Sequence, residues 1–115
     1  MKTSLILALS LISLSAFSFD ERCSPYVSET TSLISQSVSC DDATELARSC
    51  STRSRRDAEL AYSAILVCRE LLGGEENFTP AQKNKIKAGQ RKCSEIHGDR
   101  HTEALFCILE IYRKL

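Results

Sequence analysis

The sequence predicts an all-α fold, a small disulfide-stapled bundle of four or five short helices after a cleaved signal peptide. Three observations carry that expectation. The chain opens on "MKTSLILALSLISLSAFS", all six cysteines fall after that stretch, and capping and turn residues divide the remainder into segments with helical apolar spacing.

The opening has Lys2, an apolar run from Leu5 to Leu14, and small residues Ala16 and Ser18 at the −3 and −1 positions of a cut before Phe19. The run is shorter than the ~20 apolar residues a bilayer span requires, and Ser10 and Ser13 interrupt it. It reads as a signal peptide at 1–18, and no later segment is apolar enough to span, so the expected product is secreted or periplasmic. Residues 19–115 then form a single helical six-cysteine domain, of a size that buries a real but marginal core. The full chain balances 15 basic against 15 acidic side chains, and loss of Lys2 leaves a net charge of about −1. That near-balance argues against nucleic acid as a partner.

Ser24 before Pro25 predicts a first helix through "PYVSETTSLISQSVS" with Val27, Thr31, Ile34 and Val38 on its inner face. Asp42 with Glu45 three residues on resembles a capping box and predicts that "DATELARS" is a short second helix or the first turns of a longer one; Ser54 with Asp57 offers another start. In "RRDAELAYSAILVCRELL", Ala61, Ile65, Cys68 and Leu72 form a stripe that Leu60, Ala64, Leu66 and Leu71 widen, so this helix should be central. Gly73 and Gly74 supply its left-handed end, and "GGEEN" reads as a solvated loop. Thr79, Pro80 and Gln82 mark the start of a fourth helix running to Gly98. Asp99 can cap a fifth, with Leu105, Ile108, Tyr112 and Leu115 at helical spacing.

Cysteines at 23, 40, 50, 68, 93 and 107 in a short exported chain read as a disulfide framework, and six allow 15 connectivities. A helix rises ~1.5 Å per residue while bridged Cα atoms lie within ~7 Å, so cysteines at opposite ends of one helix cannot pair. That forbids 23 with 40, 40 with 50 and 50 with 68. Cys93 and Cys107 flank the turn at Gly98 and can face each other; with that pair made, only Cys23 with Cys50 and Cys40 with Cys68 contains no forbidden bond.

Lys83, Lys85, Lys87, Arg91 and Lys92 occur with no acid among them, which makes this segment the candidate binding face for an acidic partner, a phosphate-bearing glycan or a membrane surface; the alternative is a solvated helix face. Cys93, His97 and His101 follow at four-residue steps, but the break at Gly98 and oxidation of Cys93 leave His97 and His101 without a third metal ligand, and no metal or cofactor is expected. "RSRR" at 53–56 matches the R-x-R-R pattern of secretory-pathway convertases, and Asn77-Phe78-Thr79 is a glycosylation sequon with Pro80 directly after it. No nucleophile, base and oxyanion donor can be grouped, so an enzyme is not expected.

Cys40 and Cys50 ahead of Asp57 and Leu60, then Gln82 eleven residues before Cys93 in "AQKNKIKAGQRKC", then Cys107 with Arg113 and Leu115, resemble the exported bacterial lysozyme inhibitors of the LprI type. Lys85 and Gly89 stand where that family carries a Trp and an Arg, and Ala61 where it carries an Asn. The resemblance implies a periplasmic inhibitor of lysozyme. The residues themselves point to an exported binding or structural protein whose partner is a protein or an envelope component. A eukaryotic secreted precursor cut after Arg56 is a further alternative.

Overall fold

The computed structural model describes residues 21–115; the signal-peptide pattern at 1–18 lies outside the described residues. Five α-helices and one 3₁₀ turn follow in order, with no strand among the described residues: α1 Val27–Ser35, α2 Cys40–Ser49, α3 Arg56–Leu71, the 3₁₀ turn Glu75–Asn77, α4 Pro80–His97 and α5 His101–Arg113. The chain is an all-α bundle held by three disulfides.

The apolar stripe of α3 makes it the hub. It packs against α1, α2 and α5, while the one helix against which α4 packs extensively is α5. Leu60, Ala64, Ile65 and Cys68 of α3 meet Ile34, Leu46, Leu109 and Tyr112 in one buried cluster. Leu66 and Leu71 do not join it; they are 42% and 49% exposed, because α3 needs no broader stripe to meet its three neighbours.

Helix boundaries follow from where backbone donors find partners. In α1, Ser24 does not cap a helix beginning at Pro25: its hydroxyl accepts the Tyr26 N–H at 3.1 Å within a turn, and the helix begins at Val27. The inner residues are Thr30 and Ile34, whereas Val38 is 86% exposed. Thr30 is tolerated in the core because its hydroxyl accepts the Ser24 N–H at 3.1 Å and donates to the Ser24 carbonyl at 3.2 Å. In α2, Ser39 is the cap in place of Asp42, its Oγ accepting the Asp42 N–H at 3.0 Å, so that Cys40 stands on the first turn.

Ser54 does not cap α3: Arg55 occupies that position without a side-chain bond, and Ser54 lends only its carbonyl, which accepts the Asp57 N–H at 3.1 Å. The helix ends as the glycines require: Gly74 N–H donates to the Arg69 carbonyl and Gly73 N–H to the Glu70 carbonyl, both at 3.0 Å, with Gly73 at φ 98°. Part of the loop beyond is the 3₁₀ turn, which delivers Phe78 to the core, its ring centroid 6.4 Å from that of Tyr112. In α4 the capping box is complete. Thr79 Oγ1 accepts the Gln82 N–H at 3.1 Å and Gln82 Oε1 accepts the Thr79 N–H at 2.9 Å, with Pro80 on the first turn. Asp99 does not cap α5; Arg100 occupies that position without a side-chain bond. Leu109 and Tyr112 are the buried pair of α5, and Leu105, Ile108 and Leu115 pack half-buried beside them.

Cys23 is bonded to Cys50, Cys40 to Cys68 and Cys93 to Cys107, with Cα separations of 5.3, 4.7 and 5.7 Å. No cysteine is free. Cys40 starts α2 and Cys50 caps its end, so the two point to different neighbours: Cys68 near the end of α3 and Cys23 ahead of α1.

Candidate functional site

Two surfaces concentrate basic side chains without ion-pair partners among the described residues. The first is α4. Because its extensive helix contact is with α5, its buried residues are confined to Ile86 and Cys93, and most of the rest of its circumference faces water. Gly89 makes the packing close, since a Cβ there would lie 2.8 Å from Ile111 Cγ1. Lys83, Lys85, Lys87, Arg91 and Lys92 are all exposed, and none forms an ion pair among the described residues. At 100° per residue they do not form one stripe: Lys83, Lys87 and Arg91 line one flank, and Lys85 and Lys92 lie on the other. The flank with Lys83 and Lys87 borders a groove shared with Arg69, Glu75 and Tyr112.

The second surface is built by the loop 51–55 between α2 and α3, facing the end of α4 and the first turns of α5. Asp57, buried on the first turn of α3, turns its carboxylate back to accept the N–H groups of Thr52 at 2.9 Å and Arg53 at 2.8 Å. This holds Arg53 at φ 60°, a left-handed conformation that costs a residue with a Cβ about 1–2 kcal/mol. Arg53 and Arg55 are exposed and make no ion pair among the described residues. Across the groove, the Arg48 guanidinium lies 5.2 Å from the centroid of the Phe106 ring and 2.9 Å from Glu110.

Glu110 also meets Arg113 at 2.8 Å, and Arg113 reaches Asp41 at 3.4 Å, so an alternating row of charges ties α2 to α5. Burial works to raise the Glu110 carboxyl pKa. The hydrogen bonds and charges of Arg113 and Arg48 outweigh it and hold the group below its ordinary value.

The other sequence candidates are placed apart. His97 lines the loop 51–55 groove with its Nδ1 buried and without a hydrogen-bond partner, His101 is exposed, and Cys93 is committed to Cys107. Among the described residues no group of three or more His, Cys, Asp and Glu side chains could hold a metal ion. In the 53–56 run, Arg56 is the first residue of α3 and donates to the carbonyls of Pro25 and Ser24, both at 2.9 Å. Cutting after it requires that turn to unwind. The sequon residue Asn77 sits in the 3₁₀ turn and donates its side-chain amide to the Gly73 carbonyl.

The residues behind the lysozyme-inhibitor resemblance have folding roles: Gln82 completes the capping box of α4, Asp57 holds the loop, Leu60 is in the core, and Cys40, Cys50, Cys93 and Cys107 form disulfides. Among the described residues no helix is long and apolar enough to cross a membrane. The chain matches no protein-family model, no curated protein and no solved structure.

Proposed function

We propose that this chain is an exported, non-catalytic binding protein that docks an acidic protein partner, in the periplasm or outside the cell, through the basic surface of α4. The carrying observation is that α4 is held on one side only, leaving five cations exposed and unpaired among the described residues. Export rests on the leader pattern at 1–18 and on six cysteines that are all oxidised. A protein partner is favoured over an anionic bilayer because the outer face of α4 offers little to insert: Ile96 is its one large exposed apolar side chain.

The test is binding of the disulfide-bonded protein to polyglutamate, beside co-sedimentation with anionic phospholipid vesicles. The wild type should bind polyglutamate with an affinity that falls as salt rises. The variant Lys83→Glu/Lys87→Glu/Arg91→Glu should lose at least about tenfold, as reversal of three exposed charges on one flank implies. Unchanged binding of the variant overturns the assignment of α4, and stronger association with vesicles than with polyglutamate overturns the choice of a protein partner.

A further inference from the structure

The groove beside the loop 51–55 is independent of the outer surface of α4. It is open, about 1050 Å³ in volume, and Phe106 and Cys107 contribute apolar surface to its lining. We propose that it is a second binding site, for a small organic anion: a carboxylate or phosphate carried on an apolar body. The guanidinium groups of Arg53 and Arg55 clamp the oxyanion, and Phe106 receives the apolar part.

The charges around the groove leave those two arginines without a task. Arg48 is engaged by Glu110, Glu110 is shared with Arg113, and Asp57 is taken by the N–H groups of Thr52 and Arg53. Among the charged side chains of the lining, this leaves Arg53 and Arg55 against Glu103 alone, a surplus of positive charge at the mouth. Planar guanidinium forks match the paired oxygens of carboxylate and phosphate.

Arg53 is also an expensive choice for its position. It is the one non-glycine with positive φ among the described residues, and glycine would adopt φ 60° at no steric cost. The fold uses its backbone, through Asp57, and makes no hydrogen bond or ion pair with its side chain among the described residues. A strained residue whose side chain the fold leaves idle, at the rim of a groove, is accounted for by what that side chain meets when the groove is filled. The loop is ordered in advance: besides Asp57, the hydroxyls of Thr52 and Ser54 are hydrogen-bonded at 2.8 Å, and Ser51 Oγ donates to the Ala47 carbonyl at 2.9 Å. A ligand then need not bear the entropy of fixing it.

The experiment is an amide NMR titration of the disulfide-bonded protein with benzoate and phenyl phosphate, each beside its ring-free counterpart, acetate and inorganic phosphate. Saturable shifts at residues 53–55 and at Phe106, with at least one aromatic probe binding about fivefold or more tightly than its counterpart, are expected, since the ring buries apolar surface. Which aromatic probe binds better assigns the oxyanion as carboxylate or phosphate. Arg53→Gly/Arg55→Ser should weaken that probe at least about tenfold with the rest of the spectrum unchanged. The charge reversal on α4 should not affect it, so this site and the docking surface fail separately. Three results would overturn the proposal: no localised shift at tens of millimolar, equal binding with and without the ring, or full binding in the double variant.

Discussion

Gly89 of α4 lies against Ile111 of α5 so closely that a Cβ built on the glycine would stand 2.8 Å from Cγ1 of the isoleucine and nearer still to its Cδ1. Gly89→Ala should therefore push the two helices apart. Overpacking costs about 1–3 kcal/mol, against a gain of roughly 1 kcal/mol from replacing a mid-helix glycine. In an Ile111→Ala background the clash is gone and the same change should stabilise. Urea denaturation of the four proteins measures the coupling, expected at about 1 kcal/mol or more.

Asp57 is the clasp of the loop 51–55. Asp57→Ala removes a charged acceptor from two backbone donors and should cost about 1.5–3 kcal/mol, read as a fall in urea midpoint. Arg53→Gly should act in the opposite direction, stabilising by up to about 1 kcal/mol as the strained φ is relieved. A variant that is more stable and yet loses the anion response separates what Arg53 does for binding from what it does for folding.

Glu110 makes stability depend on acid. Its carboxyl is held below the ordinary 4.5 in the folded protein, so the unfolded chain takes up its proton first as pH falls. The stabilisation is complete above about pH 4.5 and is lost as pH drops through the lowered folded value. Glu110→Gln should lower the urea midpoint at neutral pH, with the difference from wild type shrinking as pH falls below the ordinary carboxyl value. If the gap stays constant over that range, the pairing with Arg113 and Arg48 is not its source.

Loss of a disulfide should scale weakly with the loop it closes. Cys93→Ser/Cys107→Ser opens a bond with a sequence separation of 14, and Cys40→Ser/Cys68→Ser one of 28. The expected losses are about 3 kcal/mol for the shorter loop and roughly half a kcal/mol more for the longer. Each is a large share of the ~5–15 kcal/mol of a typical domain, so thermal melts should resolve both.

Where helix ends are written by side chains with one local use, they were legible. Thr79, Pro80 and Gln82 form their box, and Gly73 and Gly74 close α3, because these motifs need nothing from the rest of the chain. Ser24, Asp42 and Asp99 misled because other partners claimed them or their neighbours: Ser24 turns onto Tyr26, Ser39 precedes Asp42 as the cap, and α5 starts after Arg100. The first inner stripe was displaced from Thr31 to Thr30, since Ser24 can satisfy the hydroxyl of Thr30. The basic residues of α4 could be read in order, and helical spacing alone divides them between two flanks; that both flanks stay exposed follows from which side meets α5. The groove of Arg53, Arg55 and Phe106 had no local signature, as it joins residues about fifty positions apart and depends on one positive φ.

Two of the disulfides interlock along the chain: the loop closed by Cys23 and Cys50 overlaps the one closed by Cys40 and Cys68, while Cys93 and Cys107 stand apart. A protease that nicks the backbone anywhere from 24 to 67 therefore leaves both fragments in one molecule, including at the exposed arginines 53 and 55. One nick in the connector from 69 to 92 divides the chain into two covalently independent parts. Within the cross-linked span, the stretch where a single cut is also a separation runs from the last residues of α3 through the 3₁₀ turn to Lys92 of α4, and the wear of this protein among proteases is decided there.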